Sequence, residues 1–244
     1  MIQKQKLQSV ISKYHLSGLI DSVKWKIEEQ TLNIEFISPN RDMVGSITTP
    51  FPTMPATIAI FNTSQLNKLI SITDNTLQLD FIKSNKVYSK IIIHDGKFIL
   101  EYSLADLMLI PKVPVVNNPE TSDIEITLTL DDINSFIKAK NALPDAEIVT
   151  LKSSKSLYDS SEVELIIGDQ TDFSNKISFK FLDIKANDPN PFELGFDANV
   201  LKEILSANKT NQAKILLNKE GLMNLYFIDG DIESSYFLVQ KETY

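Results

Sequence analysis

The sequence predicts an α+β protein in which two similar domains each carry helices on one face of antiparallel sheets. Three observations predict this class: many short strand-like segments, four helical segments with one shared pattern, and a proline-rich stretch near the middle of the chain. A length of 244 residues with 43% hydrophobic residues is sufficient for two packed cores.

Most of the chain has the pattern of β-strands. The segments are rich in Ile, Val, Phe, Tyr and Thr, many of them alternate between apolar and polar residues, and polar turns separate them. Asp-Gly or Glu-Gly pairs at 95–96, 220–221 and 229–230 are typical of hairpin turns. The predicted strands are Thr31–Ile37, Thr57–Phe61, Thr76–Ile82, Val87–Ile93, Lys97–Tyr102, Asp123–Thr129, Glu162–Ile167, Lys176–Phe181, Lys214–Leu217, Leu222–Ile228 and Ser234–Val239.

Four segments interrupt this pattern with helical spacing. Each has an apolar residue followed by two more apolar residues three and four positions later, which places all three on one stripe of a helix. The triads begin at Leu7, Leu66, Ile133 and Leu201, at intervals of 59, 67 and 68 residues. A recurring unit of one helix and several strands indicates an internal repeat. The predicted N-caps are Thr63 or Ser64, Asp131 or Asp132, and Asp197.

A domain boundary is predicted at residues 111–120. This stretch contains three prolines and no strand or helix periodicity, which is typical of an extended connector. It separates an N-terminal domain at 1–110 from a C-terminal domain at 121–244. The connector is also apolar, so we expect it to lie against the body of the protein.

Several functional classes have no support in the sequence. The chain contains no cysteine, which excludes disulfide scaffolds, cysteine-ligated metal sites and thiol catalysis. The only histidines, His15 and His94, lack partners at metal-binding spacing, and the common nucleotide-binding and nucleophile motifs are absent. We therefore expect no enzyme activity, cofactor or metal. No signal-peptide core or membrane-spanning apolar run is present, which predicts a cytoplasmic protein.

The positive charge is almost entirely lysine, and several lysines lie on the predicted helices. The net charge is -8, and Arg41 is the only arginine. Lysine suits loose, sequence-independent attraction to phosphates better than the bidentate reading of bases. An ordinary solvated helix face is the competing explanation, whereas a lysine excess on the helices of an acidic chain favours a DNA-facing surface. The candidate residues are Lys4, Lys6, Lys13, Lys68, Lys138, Lys202 and Lys209.

The striped helices, the apolar proline-rich connector and the acidic, strand-rich remainder together resemble the DNA sliding clamps. In detail the chain is most similar to the clamps of T-even-type bacteriophages. Thr57–Phe61 leads into a helix, Pro111–Pro119 matches a proline-rich connector, and the strand Tyr236–Val239 precedes a short polar tail. The segment Asp145–Ser160 departs from that pattern, and the sequence assigns it no role.

The resemblance implies a DNA-clamp fold of βαβββ repeats and a non-enzymatic ring subunit. Such a processivity factor encircles duplex DNA without sequence specificity and tethers a DNA polymerase and other replication proteins. Two domains per chain imply a homotrimer, closed by pairing between edge strands that we expect within Lys97–Tyr102 and Lys176–Phe181. The other implied partner is an ATP-dependent clamp loader, in the host cytoplasm if the protein is viral.

The resemblance also implies an apolar pocket for a short peptide of the polymerase and other factors. Simple attachment of the connector to its own domain explains the same residues equally well. Two other classes stay open for the whole chain: a structural β-rich phage virion or tail protein, and an enzyme or ligand carrier on a duplicated fold. The candidate pocket residues are Leu109, Ile110, Val113, Val115, Val116, Tyr236 and Phe237.

Overall fold

A computed structural model describes residues 1–116, 122–155, 161–168, 175–187 and 190–241. The chain divides into two compact units, the first formed by 1–115 with 230–234 and the second by 116–229 with 235–244. The division falls between Val115 and Val116, within the stretch where the sequence predicts a connector. The end of that connector and the end of the Asp145–Ser160 segment lie outside the described residues.

The first unit contains two groups of antiparallel strands. β1, β6, β7 and β8 form one sheet in that order, and β4, β3, β2 and β5 lie side by side in that order. Trp25 in β2 is buried, and its ring packs edge-on against Phe51 at 6.1 Å. The strands are β1 (Ile2–Gln3), β2 (Val23–Glu28), β3 (Thr31–Ile37), β4 (Met43–Pro50), β5 (Ala56–Ile60), β6 (Thr76–Ser84), β7 (Val87–His94) and β8 (Ile99–Ser103).

Two helices, α1 (Lys4–His15) and α2 (Thr63–Ser71), pack against each other in the first unit. The predicted stripe of α1 is fully buried. The predicted cap of α2 is wrong, because the Asn62 side chain accepts the N–H of Gln65 at 2.8 Å. The hydroxyl of Thr63 instead donates to the carbonyl of Asp21, which ties the start of α2 to the loop after α1.

The second unit repeats this plan. β12, β11, β10 and β14 form one sheet in that order, and β13, β9, β15, β16 and β17 lie side by side in that order. The strands are β9 (Ile124–Leu128), β10 (Ile148–Lys155), β11 (Ser161–Gly168), β12 (Lys176–Lys180), β13 (Ile184–Ala186), β14 (Glu193–Asp197), β15 (Ala213–Asn218), β16 (Leu222–Asp229) and β17 (Ile232–Val239).

The second unit also has a packed pair of helices, α3 (Leu130–Ala142) and α4 (Ala198–Ala207). Thr129 caps α3 in a reciprocal box with Asp132, so the predicted acidic cap is wrong by a few residues although Asp132 takes part. The predicted cap of α4 is confirmed, because Asp197 accepts the N–H groups of Asn199 and Val200 at 2.8 and 2.9 Å.

The strand content and the four helices confirm the predicted α+β class. The strands that the sequence pattern missed are β1, β2, β4, β10, β13 and β14. In β4 an interior glycine weakens the strand signal, and the structure gives its reason. A Cβ at Gly45 would lie 2.3 Å from the ring of Phe36, so the neighbouring strand needs that space. Within the segment Asp145–Ser160, to which the sequence assigned no role, Ile148–Lys155 form strand β10.

Candidate nucleic-acid interface and partner surface

The helices of the first unit carry only positive charge. α1 and α2 together contain four lysines and no acidic residue, although the whole chain has 32 acidic residues against 24 basic ones. In the second unit α3 and α4 contain three lysines and three acidic residues. Two of these acids lie in the first turn of α3, where the helix dipole and the cap explain them.

Two predicted DNA-facing lysines are held by groups of their own unit. The Lys4 ammonium donates to the carbonyls of Ser71 and Thr73 at 2.7 and 2.5 Å, at the end of α2. The Lys6 ammonium donates to the carbonyl of Pro50 at 2.8 Å and pairs with Asp231 at 2.5 Å. A phosphate must compete with these partners, which weakens the case for both residues.

Lys13 does not have the exposure that its position on the helical wheel predicts. Its side chain is fully buried, so we withdraw it from the DNA-facing set. Lys140 near the end of α3 is buried in a similar way, and its ammonium donates to the carbonyl of Pro144 at 2.7 Å. A lysine in the last helical turn can satisfy backbone carbonyls that have no partner within the helix.

Four of the predicted lysines remain open to a ligand. Lys68, Lys138 and Lys209 are exposed, and Lys202 is half-buried. Within the described part of the chain, none of the four has an ion pair or a hydrogen bond from its ammonium group. They lie on or directly after α2, α3 and α4, so each of these helices offers one available cation or more.

A histidine, a serine and an aspartate meet at the junction of α1 and α2. The His15 Nε2 lies 3.0 Å from the Ser64 hydroxyl and 3.7 Å from the Asp21 carboxylate. Burial lowers the pKa of His15, and Asp21 opposes that shift. Both neighbours approach the same ring nitrogen, so the aspartate does not orient the ring for proton transfer as it does in a hydrolase triad. The three residues link α1, the loop after it and the start of α2.

An exposed apolar turn at Leu107–Leu109 precedes the connector. The Asp106 side chain caps this 3-10 turn by accepting the N–H of Met108 at 2.8 Å. Met108 is 91% exposed and Leu109 is 61% exposed, whereas Ile110 is buried and anchors the chain. Ile110 therefore cannot itself serve as an open pocket residue, and the sequence prediction missed Met108.

The connector then lines a groove of about 520 Å³ in the first unit. Its apolar walls come from the segment after α1 and from the turn between β3 and β4, and it has the cations Arg41 and Lys112 with Asp21 beside them. Val113, which follows Lys112 in the sequence, is half-buried and Val115 is 91% exposed. None of the seven predicted pocket residues is among those that line the groove. The lining residues are Leu19, Ile20, Asp21, Ser22, Ile37, Ser38, Pro39, Arg41, Pro111 and Lys112.

The candidates on β17 differ in accessibility. Tyr236 is fully buried, its ring packs edge-on against Phe227 at 5.9 Å, and its hydroxyl accepts the side-chain N–H of Asn208 at 2.9 Å. The expectation that Tyr236 is a partly exposed anchor is therefore wrong, because the ring belongs to the core of the second unit. Phe237 on the same strand is half-buried. Val116, the candidate in the connector, is half-buried as well.

Each unit presents one sheet edge at a predicted position. β8 is the outer strand of β1-β6-β7-β8, and β12 is the outer strand of β12-β11-β10-β14. These strands correspond to the predicted edges Lys97–Tyr102 and Lys176–Phe181. Within the described residues each strand pairs in its sheet with a single neighbour, β7 or β11. Their other sides keep backbone groups that another strand can pair with.

Neither a metal centre nor a membrane-spanning helix emerges from the described residues. No group of three or more His, Cys, Asp or Glu among them could hold a metal ion. Every helix in that part of the chain is too short or too polar to cross a membrane.

Comparison by sequence finds no matching protein-family model and no matching curated protein. Comparison by structure finds close matches over nearly the whole chain. The PCNA of A. fulgidus, solved with the C-terminal region of FEN-1 bound, matches with a TM-score of 0.76 and 16% identity, covering 100% of this chain and 98% of that chain.

Two further structures match in the same way. The Proliferating Cellular Nuclear Antigen of Entamoeba histolytica matches with a TM-score of 0.76 and 16% identity over 98% of this chain and 96% of that chain. The PCNA of Thermococcus kodakaraensis matches with a TM-score of 0.74 and 12% identity over 99% and 98%. The chain therefore has the DNA-clamp fold of the PCNA proteins.

Proposed function

We propose that this chain is a sliding clamp, a non-enzymatic ring subunit that encircles duplex DNA and tethers replication proteins to it. The observation that carries the proposal is the separation of charge on a clamp fold. The chain is acidic as a whole, while Lys68, Lys138 and Lys202 on α2, α3 and α4 have no partner for their ammonium groups within the described residues. A locally positive surface attracts phosphates regardless of net charge.

Because lysine is the main cation, the chain suits loose contact with DNA phosphates better than recognition of individual bases. Only one arginine is present, and it lies in the groove beside the connector rather than on a helix. The proposed DNA-facing residues are Lys68, Lys138, Lys202 and Lys209, with Lys4 and Lys6 in secondary roles because their ammonium groups already have partners.

We infer a homotrimeric ring that closes by pairing of β8 in one copy with β12 in the next. A head-to-tail contact of this kind uses two different surfaces of the chain and forms a closed ring when its rotation permits. The two outer strands support the inference because, among the described residues, each pairs in its sheet along one edge only. Membership of the T-even bacteriophage class rests on the sequence features alone and stays a prediction.

The proposed peptide site for a polymerase, a clamp loader or other factors is the groove beside the connector. Its apolar walls, together with the exposed Met108 and Leu109 shortly before Pro111 in the sequence, suit the apolar anchors of a short peptide. Val113→Asp should abolish polymerase stimulation and leave the ring mass unchanged. Val87→Asp, the same change at an exposed residue of β7, is the matched control.

Topological retention on DNA tests the central proposal. Subunits are separated at high salt and reassembled at low salt with closed-circular plasmid, and the protein that co-elutes with DNA is measured before and after the plasmid is linearised. We expect retention on the circle and release after the cut, together with a solution mass of three chains. Protein that stays on linear DNA or never binds the circle contradicts encirclement and favours a structural role.

The lysine assignment is tested in the same assay. The triple variant Lys68→Glu, Lys138→Glu and Lys202→Glu should reduce retention strongly, since three attractive contacts per chain become repulsive. The control reverses Lys24, Lys83 and Lys86, which are exposed lysines outside the helices. Equal losses in both variants would show that only net charge matters.

A further inference from the structure

The two outer strands carry side chains that match each other in only one register. Along β8 the exposed face presents Ile99, Glu101 and Ser103, and along β12 it presents Lys176, Ser178 and Lys180. Leu182, two residues after Lys180, is 97% exposed, and Ile99 is 70% exposed. Isolated apolar side chains with this exposure lose contact with water when they are placed opposite each other.

The direction of the backbone N–H and C=O groups decides which residues can form hydrogen bonds with a strand of another copy. The N–H of Leu104 donates to Ser89 in β7, while the N–H of Ala105 donates to Ala59 on the other side. Because the direction alternates along a strand, Ile99, Glu101 and Ser103 point their backbone groups away from β7.

The backbone groups of β12 also alternate in direction. The N–H of Phe181 donates to the carbonyl of Val163 in β11. The odd-numbered residues of β12 therefore face β11, and Lys176, Ser178 and Lys180 point their backbone groups away from the sheet. Antiparallel pairing between copies must then join the odd residues of β8 to the even residues of β12, which leaves only registers that differ by two residues.

We propose that β8 and β12 of neighbouring copies pair antiparallel with Ser103 opposite Ser178, Glu101 opposite Lys180 and Ile99 opposite Leu182. This inference rests on the proposed ring and adds its register. A slip of two residues in one direction places Ile99 opposite Lys180, and a slip of two residues in the other direction places Glu101 opposite Leu182. Each leaves an apolar side chain facing a charged one. They also move Glu101 away from Lys180.

Ion pairs already present in each sheet extend through this register. Lys90 of β7 pairs with Glu101 at 2.5 Å, and Lys180 pairs with Glu162 of β11. Joining Glu101 to Lys180 produces a row of alternating charge, Lys90, Glu101, Lys180 and Glu162, across four strands. Glu101 and Lys180 then each have an opposite charge on both sides, an arrangement that favours the correct pairing and disfavours a slipped one.

Disulfide trapping tests the register because the chain has no cysteine of its own. The variant Ser103→Cys with Ser178→Cys should form covalent dimers and trimers on mild oxidation, since paired residues of this type lie about 5.5 Å apart at Cα. The matched controls combine Ser103→Cys with Lys176→Cys or with Lys180→Cys. A slip of two residues separates those positions by more than about 7 Å, so they should cross-link poorly.

The outcomes separate the register from the ring itself. A wild-type chain that stays monomeric at assay concentration contradicts the proposed ring. A trimer in which a control pair cross-links best contradicts only the register, and a trimer in which no pair cross-links contradicts pairing through these two strands. Preferential cross-linking between the Ser103→Cys and Ser178→Cys positions supports both the ring and the register.

Charge reversal provides a second, independent readout. Glu101→Lys or Lys180→Glu alone should raise the dissociation constant between subunits about threefold to tenfold, as expected for losing an exposed ion pair and adding repulsion. The two changes together should recover part of that loss. Lys152→Glu, which disrupts the pair with Glu193 inside the same sheet, is the control. Strictly additive effects of the two changes contradict direct pairing of Glu101 with Lys180.

Discussion

The helix pairs of the two units share an architecture and differ in how they use lysine. In the first unit Lys4 and Lys6 are bonded to carbonyls or to Asp231, and Lys13 is buried, so Lys68 is the available cation. In the second unit Lys138 and Lys202 have no such partners within the described residues. The net charge of a helix and the number of its accessible cations are therefore different properties.

The largest expected effect comes from reversing the charge of a buried lysine, which is compared with the same change at an exposed lysine of the first unit. Lys13→Glu should lower the free energy of unfolding by about 3–5 kcal/mol or prevent folding, because it places the wrong charge in a buried site. Lys68→Glu should change it by less than about 0.5 kcal/mol, as is usual at an exposed position. Urea unfolding measures both, and equal small effects would mean that Lys13 reaches solvent.

A smaller effect is expected at the helix caps, which also differ between the units. Asp197 accepts two N–H groups at the start of α4, whereas Asn62 accepts one at the start of α2. Asp197→Ala should cost about 1–2 kcal/mol and Asn62→Ala about 0.5–1 kcal/mol. Thermal unfolding of the two variants measures which of the two caps contributes more to stability. A larger loss at Asn62 would indicate that its interactions outside the helix dominate.

The smallest expected effect is a change of stability with pH, and we expect it in the first unit alone. Both histidines of the chain lie there, and burial lowers the pKa of His15 below its usual 6.5. The folded state therefore favours the neutral ring. The stability that this gives is present above pH 6.5 and is lost as the pH falls from there towards the folded pKa.

Amide hydrogen exchange, corrected for intrinsic rates, can locate this pH effect. Between pH 7 and pH 5 the protection of α1 and α2 should fall, while α3 and α4 should change little. His15→Gln removes the titrating group and should flatten the difference between the units. A pH response in the His15→Gln variant equal to that of the wild type would assign the effect to other groups.

Local patterns were sufficient to predict much of the fold. All four helical triads correspond to helices, because apolar residues at helical spacing must bury one face. Two of the strands that escaped prediction have weak local signals, β4 with an interior glycine and β13 with three residues. Their pairing partners stabilise them, and partners distant in sequence leave no local pattern.

The candidate site was less predictable, because it depends on which groups meet in space. The sequence located the lysines but not the carbonyls of Ser71 and Thr73 that hold Lys4. It selected Tyr236 as an exposed anchor, whereas a hydrogen bond with Asn208 and a ring contact with Phe227 hold that side chain in the core. The groove lined by Ile37, Pro39 and Arg41 had no sequence signal, since it forms where separate loops converge.

The sequence by itself determined the α+β class, the repeated helix-and-strand unit and the excess of lysine on the helices, because each is a property of residue type and spacing. Only the tertiary structure decided which lysines are available, which apolar residues remain exposed and how the faces of β8 and β12 match. Those properties depend on contacts between segments far apart in the chain, and accessibility is set when the core closes around them.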